Sequence, residues 1–251
     1  MRRRIAIKAT CWMLLSGGWL GMTDGGAASA ADQTHVQWFG QSFFQFTASN
    51  GTRVVIDPFD NTFFNYPIPK GLTADVLLVT HEHADHCNIG IVAGSPFTLR
   101  SQKGVGKFNF RGVTFTGTAA FHDESQGAER GRDTVYSFGL DGVRFCHVGD
   151  LGCLLNEEQV KSVGPVDVLL LPVGGFFTLD VAKLDKVVAQ LNPRVVVPMH
   201  FKTRYTPKLP ITTADEFLRG KSNVRRLGSA TFAVSKTGLP AQQEIWVLAI
   251  K

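Results

Sequence analysis

Three histidines and an aspartate fall within six positions in Thr80-His81-Glu82-His83-Ala84-Asp85-His86. Imidazole and carboxylate are good donors for zinc and neighbouring divalent metals. The cluster directly follows the apolar run Val76–Val79 (VLLV), and the end of a buried strand is a costly place for histidines that hold nothing. From an extended turn, His81 and His83 can point one way while Asp85 and His86 point toward a second position. A solvated histidine-rich loop is the plainer reading, but it gives no reason for that placement.

Three more donors recur in the same context. His122 follows Thr114–Phe121, Asp150 follows Val143–Gly149, and His200 follows Val195–Met199. Each alone is weak evidence, since a lone histidine after a strand is more often a surface or capping residue. Together the seven donors suffice for two divalent metal ions about 3.5–4 Å apart. Zinc is the first expectation, and manganese(II) or iron(II) suits the same donors. A bound divalent ion lowers the pKa of water from about 15.7 toward roughly 7, so the chemistry expected is hydrolysis. Asp85 and Asp150 are the candidate catalytic residues, Asp85 also as a group that orients the attacking water. No serine or cysteine nucleophile stands out: Ser42, Ser95 and Ser125 lack a neighbouring base, and Cys87 reads as packing beside the metal motif. Of the two remaining histidines, His35 and His147, the second lies three residues before Asp150. It is a candidate proton donor or, more economically, a structural partner of the site.

The elements that must position these donors are mostly short strands. Val36–Phe39, Phe43–Phe46, Thr52–Ile56, Val113–Thr116, Thr134–Phe138 and Val143–Val148 carry strand-like patterns. Val166–Leu171 and Val195–Val197 are continuous apolar runs, as expected of strands buried on both faces. Between them Val181, Leu184, Val188 and Leu191 keep a helical spacing, with Asp180 as N-cap and Asn192-Pro193 as stop. A second helix is expected from Thr212-Thr213 to about Arg219, and a terminal strand over Glu244–Ile250. Asn61 to Lys70 is the main irregular loop, unusually aromatic for an exposed segment. Its Phe63, Phe64 and Tyr66, with Phe59 before it and Phe176-Phe177 farther on, either line an apolar substrate pocket or cap the hydrophobic core. Lys202 and Arg204 beyond His200 are placed to receive a phosphate or carboxylate, or stand as solvated loop charges.

The N-terminus reads as an address. Arg2, Arg3, Arg4 and Lys8 precede the apolar stretch Ala9 to Met22, and Ala28-Ser29-Ala30 forms a cleavage pattern. Residues 1–30 are thus expected to be a signal peptide, with the arginine pair resembling a twin-arginine signal, and the protein to be periplasmic or secreted. Fourteen apolar residues are too few for a permanent span, so no membrane segment is expected once the leader is gone. Residues 31–251 are then expected to form one domain of mixed α/β type. The 251-residue chain carries +5, but the leader holds four basic residues and one acid, so the remainder carries +2. That near-neutral balance, without a basic run, disfavours nucleic acid and favours a small-molecule substrate. Three cysteines remain, Cys87, Cys146 and Cys153, and no disulfide is expected.

In the order of these motifs the chain resembles the metallo-β-lactamase fold superfamily. Trp38-Phe39-Gly40, Ile56-Asp57-Pro58-Phe59, the His81–His86 motif, Ala120-Phe121-His122, Gly149-Asp150, Leu171 to Gly175 and Pro198-Met199-His200 carry the likeness. The branch of L-ascorbate-6-phosphate lactonases and related metal-dependent hydrolases is the most similar. The resemblance implies a four-layer αβ/βα sandwich, two sheets face to face with helices outside and metals at one rim. It also implies His81, His83 and His122 on a first metal, Asp85, His86 and His200 on a second, and Asp150 bridging. Gln41 departs from the branch, which has histidine after its Trp-x-Gly. The expected substrate is an ester, lactone, amide or phosphodiester. A metallonuclease, a mononuclear iron oxygenase and a non-enzymatic metal-binding protein are the other readings of the same fold. His83, where redox di-iron members carry a carboxylate, favours hydrolysis over oxygen chemistry.

Overall fold

The computed structural model describes residues 32–59, 62 and 64–250. The expected leader and Phe63 lie outside the described residues. The first strands are β1 (Thr34–Gly40), β2 (Phe43–Thr47), β3 (Arg53–Ile56), β4 (Leu72–Thr73), β5 (Val76–Val79), β6 (Val92–Ala93) and β7 (Phe97–Arg100). Then follow β8 (Gly106–Phe110), β9 (Val113–Phe121), β10 (Arg132–Leu140), β11 (Val143–His147), β12 (Val168–Pro172) and β13 (Val195–Met199). The last are β14 (Val224–Arg226), β15 (Thr231–Val234) and β16 (Glu244–Val247). One sheet has six strands in the order β15-β1-β2-β3-β5-β7; the other has eight, β14-β16-β13-β12-β11-β10-β9-β8. The strands β4 and β6 form a small separate pair.

Alternation decides which residues lie between the sheets. In the six-stranded sheet Trp38, Phe44, Val54, Ile56 and Leu78 join the central core, while Phe39, Phe43, Val55 and Leu77 belong to a second cluster on the opposite face. Across the central core Phe46 meets Phe138 and Phe145 of the eight-stranded sheet, with ring centroids 5.1 and 5.0 Å apart. The inner strands β12 and β13 are buried at every residue, as continuous apolar runs require.

The three α-helices among the described residues are crossovers within the eight-stranded sheet: α1 (Glu157–Val163), α2 (Leu184–Leu191) and α3 (Ala214–Leu218). Asp180 accepts from the Ala182 amide at 2.8 Å and opens a 3-10 turn that runs into α2. Asn192 ends α2 in the left-handed region, before Pro193. Helix α3 starts at Ala214, just after its N-cap residue Thr213, and stops one residue short of the expected end. Helix α1 was not foreseen, although its signal is local. Asn156 and Gln159 cap it reciprocally, each side chain accepting from the other's backbone N–H.

In the loop after β3 the aromatics take the capping role, one of the two expected of them. Phe64 and Tyr66 are buried, not exposed, and pack with Phe59 on the outer face of the six-stranded sheet. The ring of Tyr66 also stacks near Tyr205, at 4.7 Å between centroids. These aromatics cover that face of the sheet. The terminal strand is shorter than expected, ending at Val247.

Candidate metal centre

The four donors of the histidine motif leave the C-terminal end of β5. His122, Asp150 and His200 leave the same ends of β9, β11 and β13. One strand of the six-stranded sheet and three of the eight-stranded sheet therefore deliver all seven to one rim. Their ligand atoms form two groups: His81, His83 and His122, and Asp85, His86, Asp150 and His200. Within each group the atoms lie within 4.8 Å of one another. The rings of His81 and His86 are 4.2 Å apart, so the groups adjoin. Asp150 Oδ2 lies 3.2 Å from His86 Nε2, 3.3 Å from His200 Nε2 and 3.5 Å from His122 Nε2. It therefore touches both groups, the position expected of a shared ligand. His83 is exposed and Asp85 half-buried; the other five are buried.

These residues suit divalent ions. The Nε2 atom of His81 is buried without a hydrogen-bond partner, which is costly unless something else satisfies it. Three carboxylates, Asp57, Asp133 and Asp150, are buried at the same rim. Burial opposes the charge on Asp150, but His200, His86 and His122 around it hold its carboxyl well below the usual range. For His83 and His122, burial and neighbouring imidazoles favour the neutral, ligating form.

The strand-end loops are fixed by residues whose role the sequence did not disclose. Asp57, immediately after β3, accepts from Thr80 N at 2.8 Å, Thr80 Oγ1 at 2.7 Å and His86 Nδ1 at 2.9 Å. It thereby orients a ligand from the strand next door. Its position at a strand end before Pro58 was the one available signal. Asp133 on β10 lies 3.6 Å from His81 Nδ1, and neither of its oxygens has a hydrogen-bond partner. A Cβ on Gly149 (φ +57°) would collide with that carboxylate, so glycine is required beside Asp150. His147 is fully buried, donating from Nε2 to Ser42 O at 2.9 Å and accepting at Nδ1 from Gly149 N at 3.1 Å. With both nitrogens engaged it holds the turn that carries Asp150, and donates no proton to a leaving group.

Gln41 is buried and its carbonyl accepts from His200 N, which ties the β1–β2 turn to the last ligand. Gln41, Asp57 and His200, all at this rim, have positive φ, which is strained for residues other than glycine. Phe64 and Tyr66 are used in the outer cluster. Lys202 is half-buried, and its amide bonds to Thr212 O. Cys87, Cys146 and Cys153 are free thiols.

Asp57→Asn should weaken binding of added zinc about 10–100-fold, because a carboxamide has one acceptor oxygen where Asp57 uses two, Oδ1 for Thr80 N and Oδ2 for Thr80 Oγ1 and His86 Nδ1. Competition against a chromophoric chelator measures this; unchanged affinity would show that Asp57 serves the fold alone.

Residues 35–200 match the family described as "Beta-lactamase superfamily domain". A UPF0173 metal-dependent hydrolase of Nitratidesulfovibrio vulgaris (strain DP4) is 33% identical over 202 residues, covering 68% of this chain and 81% of its own. A namesake in Thermococcus onnurineus is 31% identical over 194 residues, covering 67% and 84%. A crystal structure from Thermotoga maritima, assigned to the metallo-beta-lactamase superfamily, superposes with a TM-score of 0.71 at 32% identity. It covers 87% of this chain and 100% of that one.

Proposed function

The chain belongs to the beta-lactamase superfamily of metal-dependent hydrolases, and on that premise we propose that it hydrolyses an ester, lactone, amide or phosphodiester at a two-ion centre. The observation that carries this reading is the contact of Asp150 with both donor groups. His81, His83 and His122 would hold one ion; Asp85, His86 and His200 would hold the other; Asp150 would serve both. Zinc is the ion best matched to five imidazoles and two carboxylates. When bound, such ions supply Lewis acidity, making water a nucleophile near neutral pH and stabilising developing negative charge.

The chain's own residues supply the rest. Asp85, the half-buried carboxylate of the motif, faces partly to solvent and can accept a proton from an attacking water. Asp57, Thr80 and His147 keep the ligands in place and leave them little rotational freedom. Export through residues 1–30 to the periplasm or beyond belongs to the same proposal, supported by the basic start and the Ala28-Ser29-Ala30 pattern. Sequencing the N-terminus of the protein from its host tests it; a start at Ala31 is expected.

The hydrolase reading is tested by elemental analysis together with a panel of ester, lactone, amide and phosphodiester substrates. Two equivalents of a divalent metal and metal-dependent turnover are expected. Full activity in metal-stripped protein would overturn it.

A further inference from the structure

A cleft of about 690 Å³ opens beside His122, between the loop that follows it, the loop after β12 and the start of α3. Its volume suits a small organic ligand. Two features of its wall point to a ligand. Thr178 is only 8% exposed and lines the cleft, yet its hydroxyl has no hydrogen-bond partner. Phe176, also on the wall, is 60% exposed, and its φ of +58° is strained for a bulky side chain. An apolar ring displayed in a strained turn beside a metal ligand is costly unless it meets a ligand.

The charges around the cleft are one-sided. Asp123, Glu124, Glu129, Asp180 and Glu216 line it against Arg130 alone. Lys183 pairs with Glu124 at 2.5 Å and Arg219 with Glu216 at 2.7 Å, so five carboxylates face three cations. The Asp123 carboxylate accepts from four backbone N–H groups of its own loop, which fixes the wall and leaves its charge in place.

We propose that this cleft is the substrate subsite of the metal centre, and that it admits an uncharged or cationic group with an apolar face while rejecting anions. This rests on the hydrolase reading and narrows it to neutral or amine-bearing esters, lactones and amides, at the expense of phosphodiesters. Phe176 offers the apolar contact, Thr178 a hydrogen bond, and the surplus carboxylates a repulsive field for any anionic substituent.

The test uses nitrophenyl esters whose acyl chains end in tert-butyl, trimethylammonium or sulfonate, three groups of similar size. In zinc-loaded protein kcat/KM should fall about tenfold from tert-butyl to sulfonate, with trimethylammonium equal to or above tert-butyl. Glu129→Lys should narrow the tert-butyl to sulfonate ratio, and Phe176→Ala should raise KM for the tert-butyl ester several-fold with little change in kcat. Calorimetric binding of the matching non-hydrolysable ketones should follow the same order. Turnover or binding that favours sulfonate, or ignores charge, overturns the subsite while leaving the hydrolase reading intact. Inert esters with ketones bound in the expected order would instead remove the hydrolase reading and uphold the subsite.

Discussion

Asp150→Ala should lower kcat/KM by about a thousandfold or more while the chain still folds. The side chain lies against imidazoles of both donor groups, so under the proposed two-ion centre its removal would take a ligand from each. Loss of a single preorganised electrostatic contact at a reacting centre costs about 10²–10³ in rate. Here the change also frees three Nε2 atoms from their common anion, so metal content should fall together with rate. Elemental analysis should show fewer than two equivalents, and circular dichroism a spectrum like that of the parent. A variant with full metal content and activity within tenfold of the parent would remove Asp150 from its bridging position. Asp150→Glu, which keeps the charge but moves it, should lie between the two.

Chelation should lower the melting temperature by about 10 °C. An ion present at a thousand times its dissociation constant stabilises the folded state by about 4 kcal/mol. In a domain of this size each kcal/mol shifts the midpoint by about 2–4 °C. The structure gives a reason for an effect of that size: Asp57, Asp133 and Asp150 are buried together, and Asp133 has no hydrogen-bond donor to offset its burial. Without cations, that charge has little beyond the imidazoles to balance it. Scanning calorimetry with and without chelator, followed by zinc add-back, measures the difference. An unchanged midpoint would mean that the rim is stable as an empty scaffold.

The seven clustered donors were legible in the sequence because each follows an apolar run, and a strand end is where a side chain can leave the core without breaking it. The histidine motif after VLLV announced the centre, and the three scattered donors became meaningful only through that shared context. Asp133 gave no such signal. It sits inside β10, and its nearness to His81 depends on the packing of one sheet's edge loop over the other sheet. His147 suggested proton transfer by proximity in sequence, whereas its two hydrogen bonds, one to a strand turn over a hundred residues away, assign it to the scaffold. The aromatic loop shows the same limit. Phe64 and Tyr66 are apolar enough to be buried, but periodicity cannot reveal which face of which sheet they cover. Short edge strands such as β14 and β15 were missed because their pairing is non-local and they are only three and four residues long.

Each donor group takes residues from both sheets: the loop after β5 belongs to the six-stranded sheet, while His122, Asp150 and His200 come from the eight-stranded one. Bound ions would therefore act as rivets across the sandwich, joining segments far apart in the chain much as a disulfide does. Prising the sheets apart at this rim would require breaking coordination first. The lifetime of the folded chain against proteases would then be set by how slowly the ions leave as well as by how well the core packs.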